Sequence, residues 1–190
     1  MAGATGVLGS RLIPLLLETS HTVFGMTRSE EKVSLLEDLG AQPVLGDVFD
    51  RQRMVEVIGA LQPDVVMSQL TDLPDDASRL DDFVSANARM RREGVSNLLE
   101  AARQNGIARF LAQSVAWILS GEGGRAVEEM EANVLQFGGT VLRYGQFYGP
   151  GTYHSQPPEP PRIDIDEAAR RTVLALDAKP GIVEITEAER

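Results

Sequence analysis

The 190-residue chain contains no cysteine, which excludes disulfides, thiolate catalysis and cysteine-ligated metal sites. Histidine is nearly as scarce: His21 and His154 are the only two, too few for a structural zinc centre. Lysine is confined to Lys32 and Lys179. No apolar run approaches the roughly 20 residues that cross a bilayer, so no membrane partner is expected. Positive charge is in deficit, with 18 Lys and Arg against 28 Asp and Glu and a formal net charge of -10. That balance argues against nucleic acid as a partner and leaves room only for a local basic site. The start lacks the basic region, apolar core and cleavage site of a secretory signal, so a cytoplasmic location is expected.

What is present is globular: 43% hydrophobic and 24% charged residues, in a length that suits one core. After a glycine-rich opening, LIPLLL reads as a helix with Pro14 near its first turns, where a missing N–H is tolerated. HTVFGMTR reads as a strand. SEEKVSLLEDLG reads as a helix, with Ser29 as N-cap and Gly40 as stop. QPVLGD, DVVMSQ, ARFLAQS, TVLRY and GIVEITE read as further strands. Between them lie RQRMVEVIGAL, a long helix from about Ser78 to Gln104 interrupted only by Gly94, GRAVEEMEANVLQF and IDEAARRTVLALDA. Strands that are continuous apolar runs alternating with helices predict an α/β fold, a doubly wound parallel sheet in three layers. The expected division is a ligand-binding domain over 1–150 and a reduced C-terminal region over 151–190, packed on the same domain and opened by the proline-rich GPGTYHSQPPEPPR.

The opening MAGATGVLG spaces Gly3, Gly6 and Gly9 as G-x-x-G-x-x-G. In a strand-turn-helix crossover such glycines let backbone N–H groups reach a pyrophosphate at a helix N-terminus. Arg28 closes the next strand about 20 residues on, where the residue contacting an adenosine ribose belongs. An acidic residue there would bind a 2′-hydroxyl; Arg28, preceded by Thr27, suits a 2′-phosphate. NADP is therefore expected in preference to NAD. The alternative is a solvated arginine paired with Glu30 or Glu31.

With these residues in place, the chain resembles the short-chain dehydrogenase/reductase superfamily, in the extended or atypical branch of NAD-dependent epimerases and dehydratases. GATGVLG resembles the glycine motif, implying cofactor contacts from Gly3, Thr5, Gly6, Val7, Leu8 and Gly9. GMTR resembles the second strand end, and VLGDVFD the motif beside adenine, pointing to Asp47 and Val48. SQLTD falls where the fourth family strand meets the cofactor, implying Gln69, Leu70 and Thr71. Asn87 resembles the long-helix asparagine, and LRYGQFYGPGT the segment beside the nicotinamide, implying Tyr144 and Phe147. The resemblance implies a Rossmann-type fold, NADP or NAD as cofactor, and hydride transfer on a sugar-like or other small hydroxyl or carbonyl substrate.

The family's usual Tyr-x-x-x-Lys proton relay has no counterpart. Four residues before Lys32 and Lys179 stand Arg28 and Ala175. Ser114 and Tyr144 are the candidate catalytic residues, Ser114 also as a cofactor contact; Ser114 can equally be a strand-end hydroxyl, and the catalytic position can equally fall on Val115. A tyrosine with a pKa near 10 is a poor base at neutral pH. Arg143 is expected on the other strand face, His154 as a surface histidine, and Glu128 and Glu131 as a solvated helix face. The substrate lobe between YGPG and the last helix is reduced to HSQPPEPPR. A non-catalytic NADP(H) sensor, as in the NmrA-like proteins, is the alternative, and a homodimer through the long helix and EEMEANVL is expected. Only Met1 and Ala2 precede the glycine turn, so either the chain starts upstream of Met1 or another segment fills the central sheet slot. Short loops at Trp117–Gly124 and after Tyr148 also fit a longer enzyme of which this is part.

Overall fold

The computed structural model describes residues 1–188. Its strands are β1 (Phe24–Thr27), β2 (Gln42–Leu45), β3 (Val65–Ser68), β4 (Arg109–Val115), β5 (Thr140–Tyr144), β6 (Gln146–Tyr148), β7 (Arg162–Asp164) and β8 (Gly181–Ile185). The helices are α1 (Gly9–Glu18), α2 (Val33–Asp38), α3 (Arg51–Leu61), α4 (Val84–Arg89), α5 (Val95–Gln104), α6 (Gly121–Phe137) and α7 (Ile165–Leu174). Between α4 and α5, Met90–Gly94 forms a π-helical turn, so the long helix is continuous through Gly94 but locally widened. Local chemistry sets several ends. The Asp50 side chain accepts from the Arg53 amide at the start of α3. Asp164 accepts from the amides of Asp166 and Glu167 at the start of α7. Gly138 closes α6 at φ +86°. Ser29 makes no side-chain cap, and its helix opens instead as a 3₁₀ turn over Glu30–Lys32. Pro14 falls in the interior of α1, deeper than the sequence suggested.

Every strand pairing is parallel. β1 pairs with β2, and β3, β4, β5 and β8 follow in that order. The proline-rich stretch is a loop, as read, and joins the small β6–β7 pair that flanks it, with Phe147 opposite Ile163. Sheet alternation divides the core into two faces. Leu111, Leu142 and Tyr144 join Leu12, Ile13, Leu36, Ile165 and Ala168 on the side of α1 and α7. Phe110, Ala112 and Val141 join Met54, Leu98, Leu99, Met130 and Val134 on the side of α3, α5 and α6. No described helix is long and apolar enough to cross a membrane.

Between β1 and β3 lies the slot that the sequence left short of a strand. Met1 and Ala2 occupy its upper end. The Met1 amine donates to Phe24 O at 2.6 Å, and the Met1 carbonyl accepts from the Met26 amide. Ala2 donates to Met67 O and accepts from the Gln69 amide. These two residues thus join β1 to β3 and launch the glycine turn. Below them a cavity of about 410 Å³ opens between the sheet edges, walled by Leu16, Val23, Met54, Ile58, Val66 and Leu98.

Candidate functional site

A cleft of about 1020 Å³ runs along the C-terminal ends of the parallel strands, at the top of the range for ligand pockets, about 300–1,000 Å³. At its floor the glycine turn passes from Ala2 into α1. Gly3 has φ +78°, and a Cβ there would stand 2.4 Å from Gln69 O; a Cβ on Gly9 would stand 2.2 Å from Gly3 O. Both glycines are fixed by the turn itself. Gly6 differs: its φ is ordinary, its nearest foreign atom is Gly3 O at 3.3 Å, and it lines the cleft. The turn therefore leaves open space where an anion would approach the N-terminus of α1.

At one end, Arg28 and Lys32 line the cleft and are exposed. Among the described residues neither makes a salt bridge, so Arg28 is not tied to Glu30 or Glu31. Beside them the loop after β2 is ordered by one of its own side chains and one from α5. Asp47 accepts from the Phe49 amide at 2.9 Å, and Asn97 donates to Val48 O at 2.8 Å. Asn87 is buried and its side-chain oxygen accepts from the Asp72 amide at 3.1 Å, shaping the segment after β3. Thr5, Val7, Leu8, Gly9, Leu70, Thr71 and Phe147 join the same lining.

The two candidate catalytic residues both line the cleft but leave the sheet on opposite faces. Ser114 turns toward α6, where its hydroxyl donates to Glu131 at 2.5 Å. Arg143, on the same face, grips both oxygens of that carboxylate at 2.5 and 3.0 Å. Glu131 is 6% exposed, which corrects its reading as a solvated residue: Arg143 compensates its charge in the interior. Hydrogen bonding to Glu131 also holds the Arg143 guanidinium above its ordinary pKa. Glu128 is exposed.

Tyr144 turns toward α7 and is buried. Thr172 donates its hydroxyl to Ala168 O, so the 2.7 Å contact between Thr172 and Tyr144 has tyrosine as donor. The Tyr144 oxygen can then accept from the Gln69 side-chain amide at 3.3 Å. This directional chain commits the tyrosine proton to the protein interior. Burial pushes its pKa far above the ordinary value. The arrangement suits Tyr144 to holding Gln69 rather than exchanging protons with a ligand. It leaves the Gln69 Oε1 buried without a partner, at the cleft wall. His154 lies in the strap over the cleft, where its carbonyl accepts from Gly149, and Tyr153 bonds Pro74 O across the mouth.

Two cationic residues of the cleft escaped the sequence reading. Lys32 stands four residues after Arg28 across a strand-to-helix junction, where no simple periodicity applies. Arg91 stands one helical turn after Asn87 on the stripe continued by Val95 and Leu98, and a cation in an apolar stripe was the available signal. It is 8% exposed. Burial lowers its pKa, partly offset by the nearby Glu131 charge.

The parallel order, the glycine turn at the sheet centre and the cleft above the strand ends define a Rossmann-type dinucleotide fold. Residues 3–137 match the NAD(P)H-binding family model, and the chain belongs to that family. Among curated proteins, a 3-diazoavenalumate denitrifying reductase from Streptomyces is 32% identical over 180 residues, covering 82% of this chain and 58% of that protein. A Schizosaccharomyces pombe protein of undescribed activity is 27% identical, covering 81% and 53%. The chain thus spans a little over half the length of these relatives. The Bordetella bronchiseptica enzyme WbmH, solved with NAD+, superposes with TM-score 0.76 at 19% identity, over 99% of this chain and 74% of that one. A Thermus thermophilus UDP-glucose 4-epimerase solved with NAD gives 0.77 at 18%, over 99% and 77%. These likenesses show the same Rossmann-type α/β fold, matched over about three quarters of each solved chain.

Proposed function

We propose that this chain binds NADP(H) in preference to NAD(H) and supports reductase-type hydride transfer to a small electrophilic acceptor. The observation that carries the reading is the pair of unpaired, exposed cations, Arg28 and Lys32, at the end of a cleft floored by the glycine turn. A 2′-phosphate between them would gain charge-assisted bonds without breaking an existing ion pair. The amides at the start of α1 would face the pyrophosphate, and Asp47 and Val48 the adenine. A reduced nicotinamide, when bound, supplies a hydride.

The chain's own residues then position and exclude. Gln69, held by Tyr144, presents an unpaired acceptor at the wall, able to receive an N–H from a carboxamide or substrate. Ser114 is engaged by Glu131 and contributes a fixed dipole at the end of β4. The first turn of α6 meets the cleft with Ser120 and Gly123, so a tyrosine-lysine relay has no place there. An acceptor that takes up hydride without a proton from a tyrosine fits this site best. The reductase type of the Streptomyces relative supports that choice over epimerisation. A non-catalytic NADP(H) sensor is the second reading, favoured by the inward-directed proton of Tyr144.

Fluorescence titration with NADPH and NADH tests the first claim, and tighter NADPH binding is expected. Failure of both to bind at millimolar concentration would end both readings. Transfer of deuterium from 4-deuterated NADPH to a quinone, carbonyl or diazo acceptor separates reductase from sensor. We further propose a homodimer through the long helix that runs from α4 to α5 and through α6; light scattering should return twice the 20.6 kDa chain mass, and a monomer at all concentrations refutes it.

A further inference from the structure

Arg91 is a charge without a partner. The residue is 8% exposed and lies in the π-helical turn that interrupts the long helix, with its guanidinium nitrogens still reached from the cleft. Among the described residues it makes no hydrogen bond and no salt bridge. The carboxylate that influences it is Glu131, but Glu131 makes no bond to it and directs its own bonds to Arg143 and Ser114. Buried arginine is ordinarily paired because desolvating its charge is costly. Here the side chain lines the cleft, so the missing partner has room to arrive from solution.

A second orphan marks the same cleft. Gln69 Oε1 is buried with no donor, and the hydroxyl chain through Tyr144 and Thr172 fixes the amide orientation that leaves it so. Two unmet polar groups of opposite kind, one guanidinium and one carbonyl oxygen, therefore line one cavity. Trp117, Leu119 and Leu73 supply apolar surface to the same cleft. Asp75 and Asp81 at its edge are exposed to solvent, where their charge is screened.

We propose that Arg91 anchors the carboxylate of a small, partly apolar organic acid that shares the cleft with the dinucleotide. This rests on the dinucleotide reading above and specifies its second ligand. The pyrophosphate and 2′-phosphate already have donors in the α1 amides, Arg28 and Lys32. Arg91 belongs instead to the helix packed against α6, beside the β4 end with Ser114. A carboxylate meets a guanidinium through two parallel bonds, converting a buried unpaired charge into a paired one.

The probe is cinnamate, with the isosteric neutral cinnamamide as control, titrated calorimetrically into protein saturated with NADP+ and into protein alone. NADPH affinity, measured separately, reports the dinucleotide reading by itself. Wild type is expected to prefer cinnamate over cinnamamide by at least about tenfold, the scale of a charge-assisted pair. Arg91→Met is expected to abolish that preference and to leave NADPH affinity within about threefold.

No preference in wild type, or a preference that survives Arg91→Met, overturns the proposal. A tenfold loss of NADPH affinity with cinnamate binding intact also overturns it and assigns Arg91 to a cofactor phosphate. Should Arg91→Met fail to fold, Arg91→Lys decides. It keeps the charge and loses the fork, so a reduced preference supports the carboxylate site and an unchanged one overturns it.

Discussion

Arg28 and Tyr144 in the cleft and Glu131 behind it place polar groups in three different settings. Arg28 is exposed and unpaired, so its substitution is expected to act on the ligand alone. Arg28→Ala should weaken NADPH by about tenfold or more while changing NADH little; an equal loss for both in fluorescence titration would remove the 2′-phosphate assignment. Glu131 is buried and paired, so Glu131→Gln should act on the fold. It removes the charge that compensates Arg143 and is expected to cost on the order of 2 kcal/mol in urea unfolding. Tyr144 was legible as a residue near the cleft, but not as one whose proton points away from it. That depends on Thr172, which donates to Ala168 O and leaves the tyrosine only one direction to donate.

At the scale of elements, the glycine turn was readable because its demands are local. Gly3 must adopt φ +78° and lie against Gln69 O. Gly3→Ala should therefore destabilise by at least about 2 kcal/mol, combining left-handed strain with a backbone clash, and should weaken NADPH binding. The strand before the turn behaves differently. Two residues serve as its upper end, through backbone bonds to Met26, Met67 and Gln69. The long helix was expected from its apolar stripe. Its π-helical turn was not; there a Cβ on Gly94 would stand 2.9 Å from Met90 Sδ and 3.1 Å from Val48 Cγ2.

At the scale of the molecule, the cleft joins residues from nearly the whole chain, from Gly3 to His154. Ligand binding to the folded state should then stabilise it globally. At 100 times its Kd, NADPH should add about 2.7 kcal/mol, seen as one cooperative shift in thermal unfolding. A shift confined to one of two transitions would mean that the regions 1–150 and 151–190 respond separately. The C-terminal region contributes β8 to the sheet beside β5, packs α7 on α1 and sends Thr172 to the tyrosine of the cleft.

The sequence by itself determined the alternation of elements, the parallel sheet, the glycine turn and the positions that end strands at the cofactor side, because these follow from periodicity and local backbone requirements. It also settled that no Tyr-x-x-x-Lys relay exists, since a count of two lysines suffices. Only the tertiary structure decided which candidates could meet. Strand alternation placed Ser114 and Tyr144 on opposite faces, α6 brought Glu131 into the interior against Arg143, and the helix packing buried Arg91 without a counterion. Such pairings depend on how faces from distant segments are brought together, and burial of a charge is a property of that assembly rather than of the residue's neighbours in sequence.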